Sequence, residues 1–419
     1  MKILFVSIVP PSSKSMTAGS MEIYHYIKGL AEHNEVDTVS AFAPGDEKNL
    51  QEMEQICRKV YVARRSLTMM EKVRQVLSWI GNFCRGPLRH RPAILLANQL
   101  LRENHYDIVQ VEFVEAGRYI RKTGKTKMIM DNVDVSLKPT LRLYQRERNP
   151  LKKILLLLKL YHTRWFEAKT YKNFDLVLTR SEYDKRLVEK YYPGTQTAVL
   201  PHLVNMKEIE ACGNILALSH SLLFTGAFQR TLNVESAEFL FSEIFPRIKK
   251  VFPDSVLILA GGNPSDKMKK WAQNNPDVIV TGFVPDIFEY YLKSTVFVAP
   301  MFVGGGVITK IIEAMFCGCP VVTTPVGNEG IEAIDGEHIF IAESADDFCR
   351  KIEFLFQNPL FGKTLGEKAR QFVEERYEFN HVISLLERCY KDVLSYPQKS
   401  DRGHDGHDDS GRSRSPVNP

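Results

Sequence analysis

The 419-residue sequence predicts an α/β protein of two doubly wound domains, on three observations. Short runs rich in Val, Ile, Leu and Phe recur along the chain without the alternation of a half-exposed sheet. Helical stretches separate consecutive runs, the arrangement of a parallel sheet covered on both faces. The series restarts after Pro201, so two sheets are expected, and the length suffices for two separate cores.

In the first series, strands are expected at Lys2–Ile8, Glu35–Phe42, Lys59–Ala63, Asp107–Glu112, Lys127–Met130, Leu176–Thr179 and Gln196–Leu200. Helices fill the gaps at Met21–Glu32, Met69–Phe83, Ile94–Glu103, Asn149–Lys172 and Glu182–Lys190. The opening MKILFVSIVPP reads as a buried strand rather than a leader, because its apolar run is short, stops at Pro10-Pro11 and lacks a small-residue cleavage pattern. Cytoplasmic residence is the corresponding expectation. The second series runs through strand Leu222–Thr225, helix Val234–Val251, strand Val256–Ala260, helix Lys267–Gln273 and strand Val278–Val280. It continues with a helix near Ile287–Lys293, strand Thr295–Ala299, helix Val307–Cys317 and strand Pro320–Thr323. Helices Ala345–Gln357, Leu360–Arg376 and Asn380–Leu394 close the pattern. Domains are expected over 1–204 and 205–379, and the polar tail 397–419 is expected to be disordered, since it has too little apolar surface to offset ordering entropy.

The segment MFVGGGVITKIIEAMFCGCPVVTTPVGNEGI, Met301–Ile331, concentrates the chemistry. Gly304, Gly305 and Gly306 follow a strand, lead through Val307 into a helix, and leave backbone N–H groups open to an anion at the helix's positive end. Lys310 adds a full cation, and Glu313, on the same face, is placed to accept from a vicinal diol. This order of amides, cation and carboxylate suits a diphosphate followed by a ribose. Among so many apolar neighbours Glu313 requires hydrogen-bond donors. Gly327-Asn328-Glu329-Gly330, after the next strand, offers further amides. An earlier strand ends at Thr225-Gly226, and Arg230 at the next helix start adds a guanidinium suited to phosphate. Gly19 closes a loop after the first strand, at the end of the sheet where doubly wound folds bind ligands.

Composition narrows the remaining classes. The net charge of +5 is uneven, with 33 Lys and Arg against 21 Asp and Glu in residues 1–200. A basic first half suggests an anionic partner, and without a recognised motif nucleic acid is not expected. The Asn149–Lys172 stretch, NPLKKILLLLKLYHTRWFEAKTYK, has basic flanks. Its leucines are expected to pack on the sheet; the alternative is peripheral contact with an anionic membrane, with Lys72, Arg74, Arg85, Arg89 and Arg91. The seven cysteines contain no C-x-x-C pair, which favours core thiols over a metal site or a disulfide framework. No metal and no cofactor are expected. His404 and His407 lie in the polar tail and read as solvated. The chain has no D-x-D pair, P-loop, H-E-x-x-H or G-x-S-x-G motif.

GGGVITKIIEAMFCGCPVVTTPVGNEG resembles the donor-site signature of family 4 (group 1) glycosyltransferases of GT-B fold. FTGAFQRTLNVESAEFLFSEIFP resembles the opening of that family's second domain, and FDLVLTRSEYDKRL with TAVLPHLVN resembles the approach to its interdomain linker. The resemblance implies two Rossmann-like domains facing each other across a cleft, with helix 380–395 crossing back to the first. It implies transfer, with retention, of a sugar from a nucleotide-diphosphate sugar to a glycan, lipid-linked or other hydroxyl acceptor. Glu313 matches the glutamate on the ribose, Lys310 the lysine on the diphosphate and Gly19 the first-domain glycine loop; Arg230 falls near the phosphate arginine. Two positions depart from the pattern. Gly305 stands where the family has a second glutamate, and Asp131 where relatives often carry a histidine near the sugar. Two other readings stay open, a nucleotide-sugar epimerase of the same fold and a catalytically weak nucleotide-sugar-binding protein.

Overall fold

The computed structural model describes residues 1–13, 18–42, 46–64, 91–204, 218–304 and 306–396. The expected helix Met69–Phe83, Lys72, Arg74, Arg85, Arg89, Gly305, His404, His407 and the rest of the tail 397–419 lie outside them. Two wholly parallel sheets organise the described residues. The first has seven strands, β1 (Lys2–Ser7), β2 (Glu35–Phe42), β3 (Lys59–Arg64), β4 (Ile108–Glu112), β5 (Lys127–Asp131), β6 (Leu176–Thr179) and β7 (Thr197–Val199), in the order β3-β2-β1-β4-β5-β6-β7. The second has six, β8 (Leu218–Thr225), β9 (Val256–Ala260), β10 (Val278–Gly282), β11 (Ser294–Ala299), β12 (Val321–Thr323) and β13 (Phe340–Ile341), in the order β10-β9-β8-β11-β12-β13. In both, order reverses beside the first strand, the switch point at which doubly wound sheets open a crevice.

Helices of the first domain are α1 (Ala18–Ala31), α2 (Glu47–Ile56), α3 (Arg91–Glu103), α4 (Val114–Gly117), α5 (Leu137–Arg146), α6 (Pro150–Tyr171) and α7 (Glu182–Tyr191). Those of the second are α8 (Thr231–Phe239), α9 (Phe245–Val251), α10 (Asp266–Asn274), α11 (Phe288–Lys293), α12 (Thr309–Phe316), α13 (Pro325–Asn328), α14 (Ala345–Gln357) and α15 (Pro359–Tyr377), and α16 (Phe379–Ser395) follows. The helix expected over Val234–Val251 is interrupted by a π turn at Leu240–Ile244. Pro246 has no amide to donate backwards, and the wider turn accommodates the missing bond.

Strand alternation divides the first domain's core. Ile3, Phe5, Ile108 and Ile129 face one side, where α1 packs, while Leu4, Val6, Val109 and Met130 face the other. Val382, Ile383, Leu386 and Tyr390 of α16 belong to the α1 side, so the last helix completes the first domain's core. Gly29 of α1 makes this approach possible, since a Cβ there would meet Ile383 at 2.6 Å.

The leucines of α6 do not pack on the sheet as the sequence suggested. Only Glu167, Thr170 and Tyr171, in its last turns, are buried, and Leu160 and Phe166 touch the core. The rest of the helix lies over α5, with Leu151, Ile154, Leu155 and Leu158 facing outward. A stretch apolar on most faces carries no periodic signal saying which side is covered.

Candidate functional site

Thr225, at the end of β8, and the first turns of α8 and α12 converge on Lys310. Its Nζ donates to the Thr225 carbonyl at 2.6 Å and to Asn233 Oδ1 at 2.8 Å, and lies 4.4 Å from the centre of the Phe224 ring. Gly226 is the residue that fits this junction, because a Cβ would come within 3.0 Å of Lys310 Nζ and 2.8 Å of the Asn233 side chain. Burial pulls the Lys310 ammonium down to about 7, with Glu313 opposing the shift and Arg230 adding to it. Arg230 itself is exposed, at the N-cap of α8.

Glu313 sits one turn along α12 among the buried Ile311, Ile312, Ala314, Met315 and Phe316. Its Oε2 accepts from the Tyr291 hydroxyl at 3.0 Å, and that hydroxyl is 2.8 Å from Thr225 Oγ1. The donor that the apolar surroundings require therefore includes Tyr291, from α11. The sequence gives no sign of it, because Tyr291 lies 22 residues from Glu313 and in no motif.

The glycine segment is engaged from the first domain. Arg142 of α5 donates one Nη to the Gly304 carbonyl and the other to the Glu329 carboxylate. Arg146 donates to the Phe302 carbonyl at 2.9 Å. Lys138 lies 2.7 Å from Glu329 and 3.1 Å from Asp184. These three cations are spaced by four, so they form one ridge of α5 directed at the second domain. Burial opposes ionisation of Glu329, yet Lys138 and Arg142 hold its carboxyl below the usual range. Gly306 abuts Asp134, and a Cβ there would collide with that carboxylate. Val307 is buried and packs on Gly330.

Asn328 and Asp131 are occupied within the protein. Asn328 Nδ2 donates to the Ala333 carbonyl at 2.8 Å and its Oδ1 accepts from the Ala333 amide at 3.0 Å. Asp131 is completely buried at the end of β5, 2.8 Å from Arg180, so it occupies the domain interior rather than a surface that a sugar could touch. In the same segment it is Asp134 that reaches the glycine loop. Arg180 also lies 3.4 Å from Glu22, which His202 and Tyr26 contact at 3.0 and 2.8 Å. Burial would raise Glu22, but Arg180, His202 and Tyr26 hold it at about 2. Burial and the neighbouring Asp131 push the Glu112 carboxyl well above the usual carboxylate range. Gln110 bridges from Glu112 to Tyr390, tying α16 to the cluster.

Gly19, on α1, lies 3.5 Å (from a notional Cβ) from the Phe113 ring at the end of β4. Phe113 has φ +70, a conformation costly for a bulky residue. Among the described residues no group of three or more His, Cys, Asp or Glu side chains is arranged to hold a metal ion.

A family model described as Glycosyl transferases group 1 matches residues 219–358, which include Gly226, Lys310, Glu313 and Glu329. An uncharacterized 44.6 kDa protein in the cps region of Klebsiella pneumoniae is 24% identical over 358 residues, covering 81% of this chain and 87% of the relative. The Staphylococcus aureus capsular polysaccharide biosynthesis glycosyltransferase CapM is 32% identical over 123 residues, 29% of this chain and 32% of that one. Among solved structures, Anabaena Alr3699/HepE in complex with UDP-glucose is 14% identical with a TM-score of 0.63, covering 94% of this chain and 100% of that chain. The last likeness establishes the two-sheet architecture as a shared fold.

Proposed function

We propose, from the premise that the chain belongs to the group 1 glycosyltransferases and has their GT-B fold, that it moves a sugar from a nucleoside-diphosphate sugar onto a hydroxyl of a glycan or lipid-linked acceptor. The Lys310–Glu313 pair carries the reading. One side chain is a partly desolvated cation beside the strand-end carbonyl of Thr225 and the Asn233 side chain of α8, the other a carboxylate steadied by Tyr291. In this reading Glu313 accepts from the ribose hydroxyls. Lys310, Arg230 and the amides around Gly304, Gly306 and Val307 neutralise the diphosphate without a metal. The first domain, with Gly19 at its strand ends, receives the acceptor.

The chemistry that follows retains the anomeric configuration. The bond from the anomeric carbon to the diphosphate oxygen lengthens, leaving an oxocarbenium-like sugar and growing charge on the leaving group. The acceptor hydroxyl attacks from the same face and passes its proton to a departing phosphate oxygen. Fixed cations and amides stabilise the charge as it develops. UDP-glucose in the HepE complex and the capsular polysaccharide named for CapM support a UDP-sugar donor and a polysaccharide acceptor as the first compounds to test.

Purified protein incubated with a panel of nucleotide sugars tests the reading. Slow release of nucleoside diphosphate, unaffected by EDTA, is expected with the correct donor. Recovery of an epimerised nucleotide sugar would instead support the epimerase reading. Binding without turnover, even with acceptor supplied, would support a binding protein, which the glycine at position 305 favours.

A further inference from the structure

We propose that α6 rests flat on an anionic lipid bilayer, with the face bearing Ile154, Leu158, Tyr161 and Trp165 inserted between headgroups. These residues follow spacings of four, three and four, and Leu151 and Leu155 widen the same face. All six side chains are between 52% and 73% exposed, an apolar strip on the surface of the first domain whose Trp165 end also carries His162 and the Arg118 guanidinium. From Leu151 to Trp165 the strip runs about 20 Å, at 1.5 Å per residue.

Charge selects the occupant. Lys152 and Lys159, seven apart, border one side of the strip, and Lys153 and Arg164, eleven apart, border the other. Both spacings return to one face of a 3.6-residue helix. No carboxylate occurs between Glu147 and Glu167, and Glu167 is buried. An apolar strip with a cationic border on each side matches acyl chains below and anionic headgroups alongside. Lys153 and Arg164 also lie near aromatic rings, Tyr144 at 5.1 Å and Tyr191 at 5.9 Å, which lets their stems lie along the helix. Trp165 and Tyr161 are side chains of the type that settles at headgroup depth. Among the described residues no helix is long and apolar enough to cross a membrane.

The helix begins four residues after Arg146, which holds the Phe302 carbonyl across the domain boundary. A bilayer under α6 would therefore lie close to the edge of the cleft. That consequence, delivery of a lipid-linked acceptor from the membrane plane, rests on the transferase reading; the membrane surface itself does not.

Flotation of the full-length protein with vesicles tests the proposal, comparing phosphatidylglycerol/phosphatidylethanolamine with pure phosphatidylcholine. Binding to the anionic vesicles is expected to be at least about tenfold stronger, with a blue shift in tryptophan emission that Trp165→Phe removes. Ile154→Ser with Leu158→Ser should abolish flotation. Lys152→Glu with Lys159→Glu should weaken it by about fivefold or more per cation. Circular dichroism and UDP affinity serve as controls, because none of these side chains touches the candidate site. Equal or absent binding to the two vesicle types, or full binding by the serine variant, would overturn the proposal. So would a wild-type dimer that the serine substitutions dissociate while vesicles stay unbound, since the strip would then cover a second copy of the chain. Failure to bind any of a panel of nucleoside diphosphates alongside normal flotation would refute the transferase reading alone.

Discussion

Arg142 and Glu329 form an ion pair between the two domains, and the same guanidinium holds the carbonyl of Gly304. The loop that the sequence marks as a phosphate cradle is thus tied to the domain expected to bring the acceptor. Any movement of one domain against the other must therefore break this contact or carry the loop with it.

Arg142→Ala is expected to loosen the closed arrangement. Lys138 keeps Glu329 partly paired, so the fold should survive with only a small drop in melting temperature. Small-angle scattering should show a larger radius of gyration, and the donor KM should rise more than kcat falls. Unchanged scattering and kinetics would remove the pair from any role in closure.

Glu313→Ala is expected to weaken UDP binding by about 1.5–3 kcal/mol, the range for hydrogen bonds to charged groups. Tyr291→Phe should weaken it less, because the carboxylate remains while one of its supports is lost. Calorimetry giving the tyrosine variant the larger loss would reverse the roles assigned to the two side chains.

Lys310 gives donor binding a pH dependence of definite sign. With its ammonium near 7 in the free protein, part of the population is neutral just above that pH. A bound diphosphate favours the charged form, so binding draws in a proton. UDP affinity should fall as pH rises from 7 to 9, by no more than about tenfold per unit. Calorimetry in buffers of different ionisation enthalpy should register proton uptake. Flat affinity over that range in wild type, matched by Lys310→Met, would exclude this residue from phosphate contact.

The buried cluster separates two kinds of carboxyl. Arg180→Met should cost about 3–5 kcal/mol, since Glu22 and Asp131 lose their shared counter-charge. Glu112→Gln should be tolerated, because burial and the neighbouring Asp131 raise the Glu112 carboxyl and so disfavour its charge in the folded state. A carboxyl raised in the folded state contributes fully below its unfolded value, and that contribution is lost as pH rises towards the folded one. The advantage of the glutamine variant in melting temperature should therefore grow from pH 5 to pH 8. A variant equally impaired at every pH would show that Glu112 is ionised.

Both sheets were legible because parallel strands covered on two faces leave continuous apolar runs, such as Ile3–Val6 and Val296–Ala299. Lys310 and Glu313 were legible because glycines, a helix start and two charges three apart coincide in one short segment. Helix α5 is absent from the expected elements; Pro139 occupies its first turn, where a proline is tolerated. Its cations are visible as Lys138, Arg142 and Arg146 at intervals of four, but sequence alone does not pair them with Glu329. Asp131 stands where the resemblance places a histidine, and the sequence gives no sign that Arg180, 49 residues away, pairs with it.

The polypeptide passes between the domains twice, and the Val204 amide bonds to the Tyr377 carbonyl at 2.9 Å where the passages meet. On the ribosome, the N-terminal half emerges long before the segment that seals α1. Its face around His25 and Gly29 must wait uncovered until Phe379 and Ile383 are made. A nascent or prematurely terminated chain would present this sticky surface to chaperones and proteases, so even short deletions at the end of α16 should act as defects in maturation rather than in chemistry.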